Sequence, residues 1–311
     1  MSSEESPSRV IVWSTPRSIS TAFLKCMTFV DNSVAWHEPY VFANRCGPDG
    51  TIKAEIDKAL RERSGIQLPL VAEYYTTANK VVPTEVTINN NSSTASNVYE
   101  ASTHSFQWIK EQLESPHPGT DLIFVKDMAQ GITGHYDAIP RGYHHTFLMR
   151  HPLKVFASYK QAMLQSGRPK DLTTLPEIII PNGHFFKELH DLYQHVKVHY
   201  DPNAIILDAD DLLSNPSAIL PAYCKRTNIP YNNSLLSWPP GSDEVLSRWM
   251  IQKEVLGSPS VLGALKACFD STCFGPPSSM PLERDLPHDV LELARSAMPY
   301  YNAMYEQRMK L

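Results

Sequence analysis

Four short runs of the chain are apolar without interruption: Val10–Trp13, Leu122–Val125, Thr146–Met149 and Ala204–Leu207. A strand with one wet face alternates, so runs of this kind predict strands covered on both faces, as in a parallel sheet. Between them the apolar spacing becomes helical, over Tyr99–Leu113, Leu153–Leu164 and Phe185–His199. Ser20–Val30 is helical too, with Phe23, Met27 and Val30 on one face, and Leu286–Lys310 predicts a last helical portion. The alternation implies an α/β domain with a parallel central sheet and helices on both faces. Trp238-Pro239-Pro240-Gly241 and Gly275-Pro276-Pro277 read as rigid joints inside that single domain, residues 10–311. Residues 1–9, rich in Ser, Glu and Pro, read as a disordered tail, and Asn89–Ser96 as an exposed loop.

Composition narrows the chemistry. The 311 residues are 42% hydrophobic and 20% charged, as in ordinary globular proteins. A net charge of -5 gives no global attraction for nucleic acid or an acidic membrane, so any anion site must be local. The 5 cysteines include no C-x-x-C, which argues against a disulfide framework or a structural zinc. With no apolar run of about 18 residues and no apolar N-terminal segment, a cytoplasmic protein is expected. Proline outnumbers glycine 25 to 13, an odd balance for a chain that binds phosphate, where glycines commonly let backbone approach the ligand.

An anion site is nevertheless suggested at two places. After the first strand come Pro16, Arg17, Ser18, Ile19, Ser20 and Thr21. Backbone N–H groups at a helix start, a fixed cation and several hydroxyls suit a phosphate or sulfonate there. It is not a Walker A loop, because G-x-x-x-x-G-K-[ST] is absent. Further on, Arg150 ends a predicted strand, Pro152 suits the first helical turn, and Ser158 follows eight residues after the arginine. An arginine and a hydroxyl converging on one phosphate make a plausible pair.

At these segments the chain resembles the sulfotransferases that use 3′-phosphoadenosine 5′-phosphosulfate (PAPS), a branch of the P-loop fold. The resemblance implies that Pro16, Arg17, Ser18, Ile19, Ser20 and Thr21 hold the 5′-phosphosulfate, and that Arg150 and Ser158 hold the 3′-phosphate. It extends to the acidic turn Asp208–Pro216 and to Ser271-Thr272-Cys273-Phe274, which places Ser271 and Thr272 near the cofactor. It also implies a three-layer P-loop-type α/β fold, PAPS as co-substrate without a metal, and a small hydroxylated or amine-bearing acceptor. The departures are Arg17 in place of the usual lysine, Ile19 where glycine is common, Met128 where many members have histidine, and no R-K-G-x-x-G loop.

Without that histidine, the base must come from elsewhere. Glu38 is the first candidate for taking the acceptor proton, and His37 the second; Glu38 could instead pair with Arg17 in a structural turn. Lys126 is placed to assist the leaving group and Asp127 to orient it. Tyr74, Tyr75, Trp108 and Trp249 are candidates for an aromatic acceptor pocket bordered by residues 45–96 and 167–184. Two rival readings use the same scaffold: an ATP-dependent transferase, and a nucleotide-binding protein that has lost catalysis.

Overall fold

The computed structural model describes residues 6–51, 97–165, 171–175, 177, 179–257 and 259–311. The four uninterrupted runs form four adjacent strands of a parallel sheet, running from its centre to one edge. Its strands are β1 (Ser8–Ser14), β2 (Ser33–His37), β3 (Val98–Tyr99), β4 (Leu122–Met128), β5 (His144–Met149), β6 (Ile205–Asp208) and β7 (Trp249–Gln252). Their order is β3-β7-β2-β4-β1-β5-β6, and every pairing is parallel. β4 is buried along its whole length, the burial that its unbroken apolar pattern requires.

The main helices are α1 (Ser20–Thr28), α2 (Pro39–Cys46), α3 (Phe106–Glu114), α4 (Pro152–Gln165), α5 (Phe186–His199), α6 (Pro216–Thr227), α7 (Pro259–Asp270) and α8 (His288–Tyr305). They cover both faces. On one, Phe23 of α1 packs edge-on against Phe124 and at a tilt against Tyr223 of α6. On the other, Trp13 meets Tyr40 of α2, and Phe147 meets Tyr193 of α5. Because strand side chains alternate, Trp13 and Phe147, which are partners in the β1–β5 register, point the same way. Trp13, Trp36 and Trp249 are fully buried, and burial of side chains this size contributes at least about 2–3 kcal/mol each before entropy is charged.

Two boundaries differ from expectation. β1 starts at Ser8, so Ser8 and Arg9, assigned above to the tail, are sheet residues; the Arg9 guanidinium is tied to the Leu113 and Ser115 carbonyls. The helix predicted over Tyr99–Leu113 starts only at Phe106. Tyr99 pairs with Gln252 in the sheet, Glu254 takes the Ala101 and Ser102 N–H groups, and Ser105 caps α3 by accepting the Trp108 N–H at 3.0 Å. Asn89–Ser96 and residues 1–5 lie outside the described residues.

Candidate active site

All seven strands point the same way, so their C-terminal ends form one edge, where ligands bind in open α/β sheets. β1 delivers the loop from Thr15 to Ile19 to that edge. Arg17 and Ile19 have φ of 59° and 62°, the left-handed region that glycine enters freely. For a β-branched Ile this costs on the order of 1–2 kcal/mol, borne by the surrounding contacts. Left-handed residues in a strand-to-helix loop gather N–H groups into an anion-binding concavity, the role for which glycine is the usual choice. The loop is braced inside: buried Ser18 donates to the Thr15 carbonyl at 2.7 Å, Ser14 to the Asp127 carbonyl at 3.0 Å, and the Phe23 N–H to the Ile19 carbonyl at 3.0 Å. Ser20 is buried and Thr21 half-buried at the start of α1, and Pro16 is half-buried before the turn.

The second motif meets the first. Arg17 Nε donates to Ser158 Oγ at 3.0 Å, and Arg150 reaches the Arg17 carbonyl at 3.5 Å. Burial, then the charge of Arg150, lower the Arg17 pKa, as two guanidiniums sharing a site must. Sequence reasoning missed two members of this cluster. Ser278 Oγ accepts from Arg150 at 3.0 Å; Lys154 donates to Asp210 at 2.6 Å and to the Ser278 carbonyl. Asp210 also lies 3.4 Å from Arg150 Nε. Lys154 had a signal, standing four residues beyond Arg150 in the first turn of α4, whereas Ser278 had none. Ser271 and Thr272 are placed on the α1 side: the Ser271 carbonyl accepts from Lys25, its hydroxyl from Trp238 Nε1, and the Thr272 carbonyl from the Trp238 N–H. Among the described residues, none of these bonds extends to Arg17 or Arg150.

The third group stands at the ends of β2 and β4. Glu38, also left-handed at φ 48°, caps α2 ahead of Pro39, and its N–H donates to the Lys126 carbonyl at 2.7 Å. Its carboxylate is hydrogen-bonded to Lys126 Nζ, so the alternative pairing with Arg17 is replaced by one with Lys126. Burial pushes the Glu38 carboxyl up, but Lys126, then His37, outweigh it and hold it at about 2. His37 is 1% exposed, 4.0 Å from Glu38, and stacked on Trp249 at 5.2 Å. Burial lowers its pKa to about 4, so the ring is neutral, and among the described residues neither ring nitrogen has a hydrogen-bond partner. Asp127 does not orient Lys126. It accepts the Tyr40 and Val41 N–H groups at 2.6 and 3.2 Å and the Met128 N–H at 2.7 Å, fastening the start of α2 to β4. Burial, then the charge of Glu38, push Asp127 up to about 8 against the pull of these donors.

Of the aromatic candidates, Trp249 is buried and donates to Thr28, and Trp108 stacks on His104 at 3.7 Å; Tyr74 and Tyr75 lie outside the described residues. Among the described residues no three His, Cys, Asp or Glu side chains gather as a metal set, and no helix is long and apolar enough to cross a membrane.

A parallel sheet with a left-handed strand-to-helix loop and a cluster of cationic side chains at its C-terminal edge belongs to the open-sheet α/β class, and that edge is chemically suited to an anionic ligand. Within that class, residues 191–308 match the sulfotransferase domain family. The match contains Asp208–Pro216 and Ser271–Phe274 but neither the Arg17 nor the Arg150 motif. The chain is also similar to a sulfotransferase domain from the curacin biosynthetic pathway, at 14% identity over 94% of this chain and 98% of that one, with a TM-score of 0.46. A sulfotransferase domain from the Synechococcus PCC 7002 olefin synthase is 14% identical over 94% and 96%, with a TM-score of 0.44. No curated protein matches by sequence.

Proposed function

We propose that this protein is a cytosolic enzyme that moves a sulfonate group from PAPS to a hydroxyl or amine of a small acceptor. The observation behind this reading is that Arg17, Ser158 and Arg150 form one cluster although 141 and 133 residues separate the partners. Beside it, on neighbouring strands, stands the Glu38–Lys126 pair. Strands β2, β4, β1 and β5 are adjacent, so the row from Glu38 to Arg150 spans roughly 15 Å at about 4.8 Å per strand, room for a nucleotide along the sheet edge.

In this reading the 15–21 loop holds the donor's phosphosulfate, and Arg150 with Ser158 holds its 3′-phosphate. As the acceptor oxygen or nitrogen attacks sulfur, Glu38 takes its proton, while Arg17 and the loop N–H groups stabilise the charge left on the departing phosphate. A carboxylate held at about 2 by Lys126 is a poor base. Lys126 therefore has to turn toward the incoming sulfonate, which frees Glu38 and raises its proton affinity at the moment it is needed.

The test is incubation with PAPS and a panel of acceptors, read as release of adenosine 3′,5′-bisphosphate, together with calorimetric binding of that product. Glu38→Gln should abolish turnover with little loss of product affinity, and Arg150→Ala should weaken binding about tenfold or more. An intact chain that binds ATP-Mg²⁺ in preference to the bisphosphate, or whose product affinity ignores Arg150→Ala, overturns the reading. Activity that survives Glu38→Gln moves the base to His37.

A further inference from the structure

His37 takes no part in the transfer proposed above, yet its surroundings are unusual. The ring is buried at the end of β2, and among the described residues neither of its nitrogens has a hydrogen-bond partner. Buried polar atoms in that state are rare in folded proteins, and each costs free energy. Packing holds the ring instead: it stacks on Trp249 of β7, with 5.2 Å between centroids and 9° between planes. The main chain is held too, because the Gln252 side-chain amide donates to the His37 carbonyl at 2.6 Å and to Tyr99 Oη at 2.7 Å.

Two neighbouring oxygens show what the ring is placed to do. Gln252 Oε1, on that same amide, is also buried without a partner, and Gln252 is among the groups that hold the His37 pKa up against burial. Glu38 Oε1 lies 4.0 Å from His37 Nε2 and is the oxygen bonded to Lys126 Nζ. That separation is about 1 Å beyond a hydrogen bond, within the swing of a carboxylate about its last, soft torsion.

A neutral imidazole has one N–H and one lone pair. Gln252 Oε1 lacks a donor, which favours the proton on Nδ1 and leaves the Nε2 lone pair for Glu38. A lone pair repels a carboxylate but accepts the O–H of a carboxylic acid, so a neutral His37 favours the protonated form of Glu38. In the resting site Lys126 satisfies the carboxylate. Once Lys126 turns to the sulfonate and Glu38 has gained a proton, Nε2, the Nδ1 proton and Gln252 Oε1 find partners together. Withdrawal of the lysine removes the group that favours the carboxylate, and His37 adds one that favours the acid.

We propose that His37 is a positioning residue for the proton transfer: its Nε2 accepts a hydrogen bond from protonated Glu38, while Gln252 Oε1 holds the proton on Nδ1. This role rests on the sulfotransferase reading for the source of the proton. There, the acceptor's O–H or N–H bond breaks as its bond to sulfur forms and the bond from sulfur to the leaving phosphate breaks. The proton passes to the Glu38 carboxylate and stays there, hydrogen-bonded to His37. The ring itself is too deeply buried to touch donor or acceptor and works only through Glu38.

The charged groups that act with Glu38 are Lys126 and Asp127 of β4 and Arg45 of α2; His37, neutral above about pH 4, adds no charge there. The test compares two variants that differ only at position 37. In Lys126→Met protein, carbon-13 NMR of labelled glutamate carboxyls should show Glu38 titrating about one pH unit or more higher than in Lys126→Met/His37→Phe, which keeps an aromatic ring to stack on Trp249. In the native chain at about pH 7, nitrogen-15 NMR of labelled histidine should show the His37 proton on Nδ1 and none on Nε2. Equal Glu38 titration in the two variants, or a proton on Nε2 in the native chain, overturns the proposal; the second measurement needs no substitution and decides the matter if a variant does not fold. Release of adenosine 3′,5′-bisphosphate from PAPS by the native protein, with the same acceptor panel, separates the two readings. Release without coupling between Glu38 and His37 refutes only the positioning role; coupling without release refutes the sulfotransferase reading and leaves the hydrogen bond standing.

Discussion

His145 should make the fold sensitive to mild acid. The ring lies in the sheet, 1% exposed, near Trp13 and Tyr200, and its Nδ1 accepts the Trp13 indole N–H at 3.0 Å. Protonation would set one N–H against another in a dry site. Burial, then His144, lower its pKa from 6.5 to about 3. Because the folded value is the lower one, the unfolded chain takes up the proton first. This contribution is complete above about pH 6.5 and is lost as pH falls toward 3. Between about pH 7 and pH 5 the loss works out at about 2 kcal/mol, from 2.303RT times the extra proton bound by the unfolded chain, integrated over those two pH units. Other groups titrate in the same range, Asp127 and Asp208 among them, so the measurement is a difference between two proteins. His145→Asn keeps an acceptor near Nδ1 but cannot be protonated. Urea unfolding followed by tryptophan fluorescence at both pH values should show the native protein losing about 2 kcal/mol more than the variant. Identical losses in the two proteins, within about 0.5 kcal/mol, would refute the argument.

Two further substitutions test the frame around the site. Gly131→Ala places a Cβ 2.6 Å from the Val41 N and 2.9 Å from its Cα, so the turn after β4 must move off α2; a loss of about 1–3 kcal/mol in urea is expected, and an unchanged midpoint would disprove the contact. Lys25→Met removes a buried ammonium that donates to the Cys268, Phe269 and Ser271 carbonyls at 3.2, 2.8 and 2.9 Å, at the end of α7. It should cost about 2–4 kcal/mol and speed amide exchange over residues 265–272, whereas unchanged exchange there would show that the lysine does not hold that helix end.

The central strands were legible because burial on both faces leaves an unbroken apolar run, as at Leu122–Val125. β3 and β7 were not: Val98–Tyr99 is two residues long, and Trp249–Gln252 ends in a glutamine whose buried amide serves the His37 carbonyl and Tyr99. Neither leaves a periodic trace. At the site, Arg17 and Arg150 were recognisable because each follows a strand end, and Ser158 because it stands eight residues beyond Arg150 in the helix that follows. Ser278 belongs to a proline-rich joint whose path depends on long-range packing, so no local pattern marks it. The unusual residue at position 19 was visible in the sequence, but its left-handed backbone was not, since side-chain identity argues against that conformation. Glycine scarcity thus did not prevent a glycine-like turn; it left the turn to be held by Ser14, Ser18 and the start of α1.

β1 sits between β4 and β5, with Ser8 in register with Leu122 and Val10 with His144. During synthesis from the N-terminus, this interior strand emerges before its partners, which follow more than a hundred residues later. At about 5–20 residues per second, Val10–Trp13 waits on the order of ten seconds without a neighbour on either edge. A nascent chain in that state exposes an apolar strand with both edges unpaired, a target for chaperone capture. The protein's yield in a cell should therefore depend on how that interval is guarded as well as on the stability of the finished sheet.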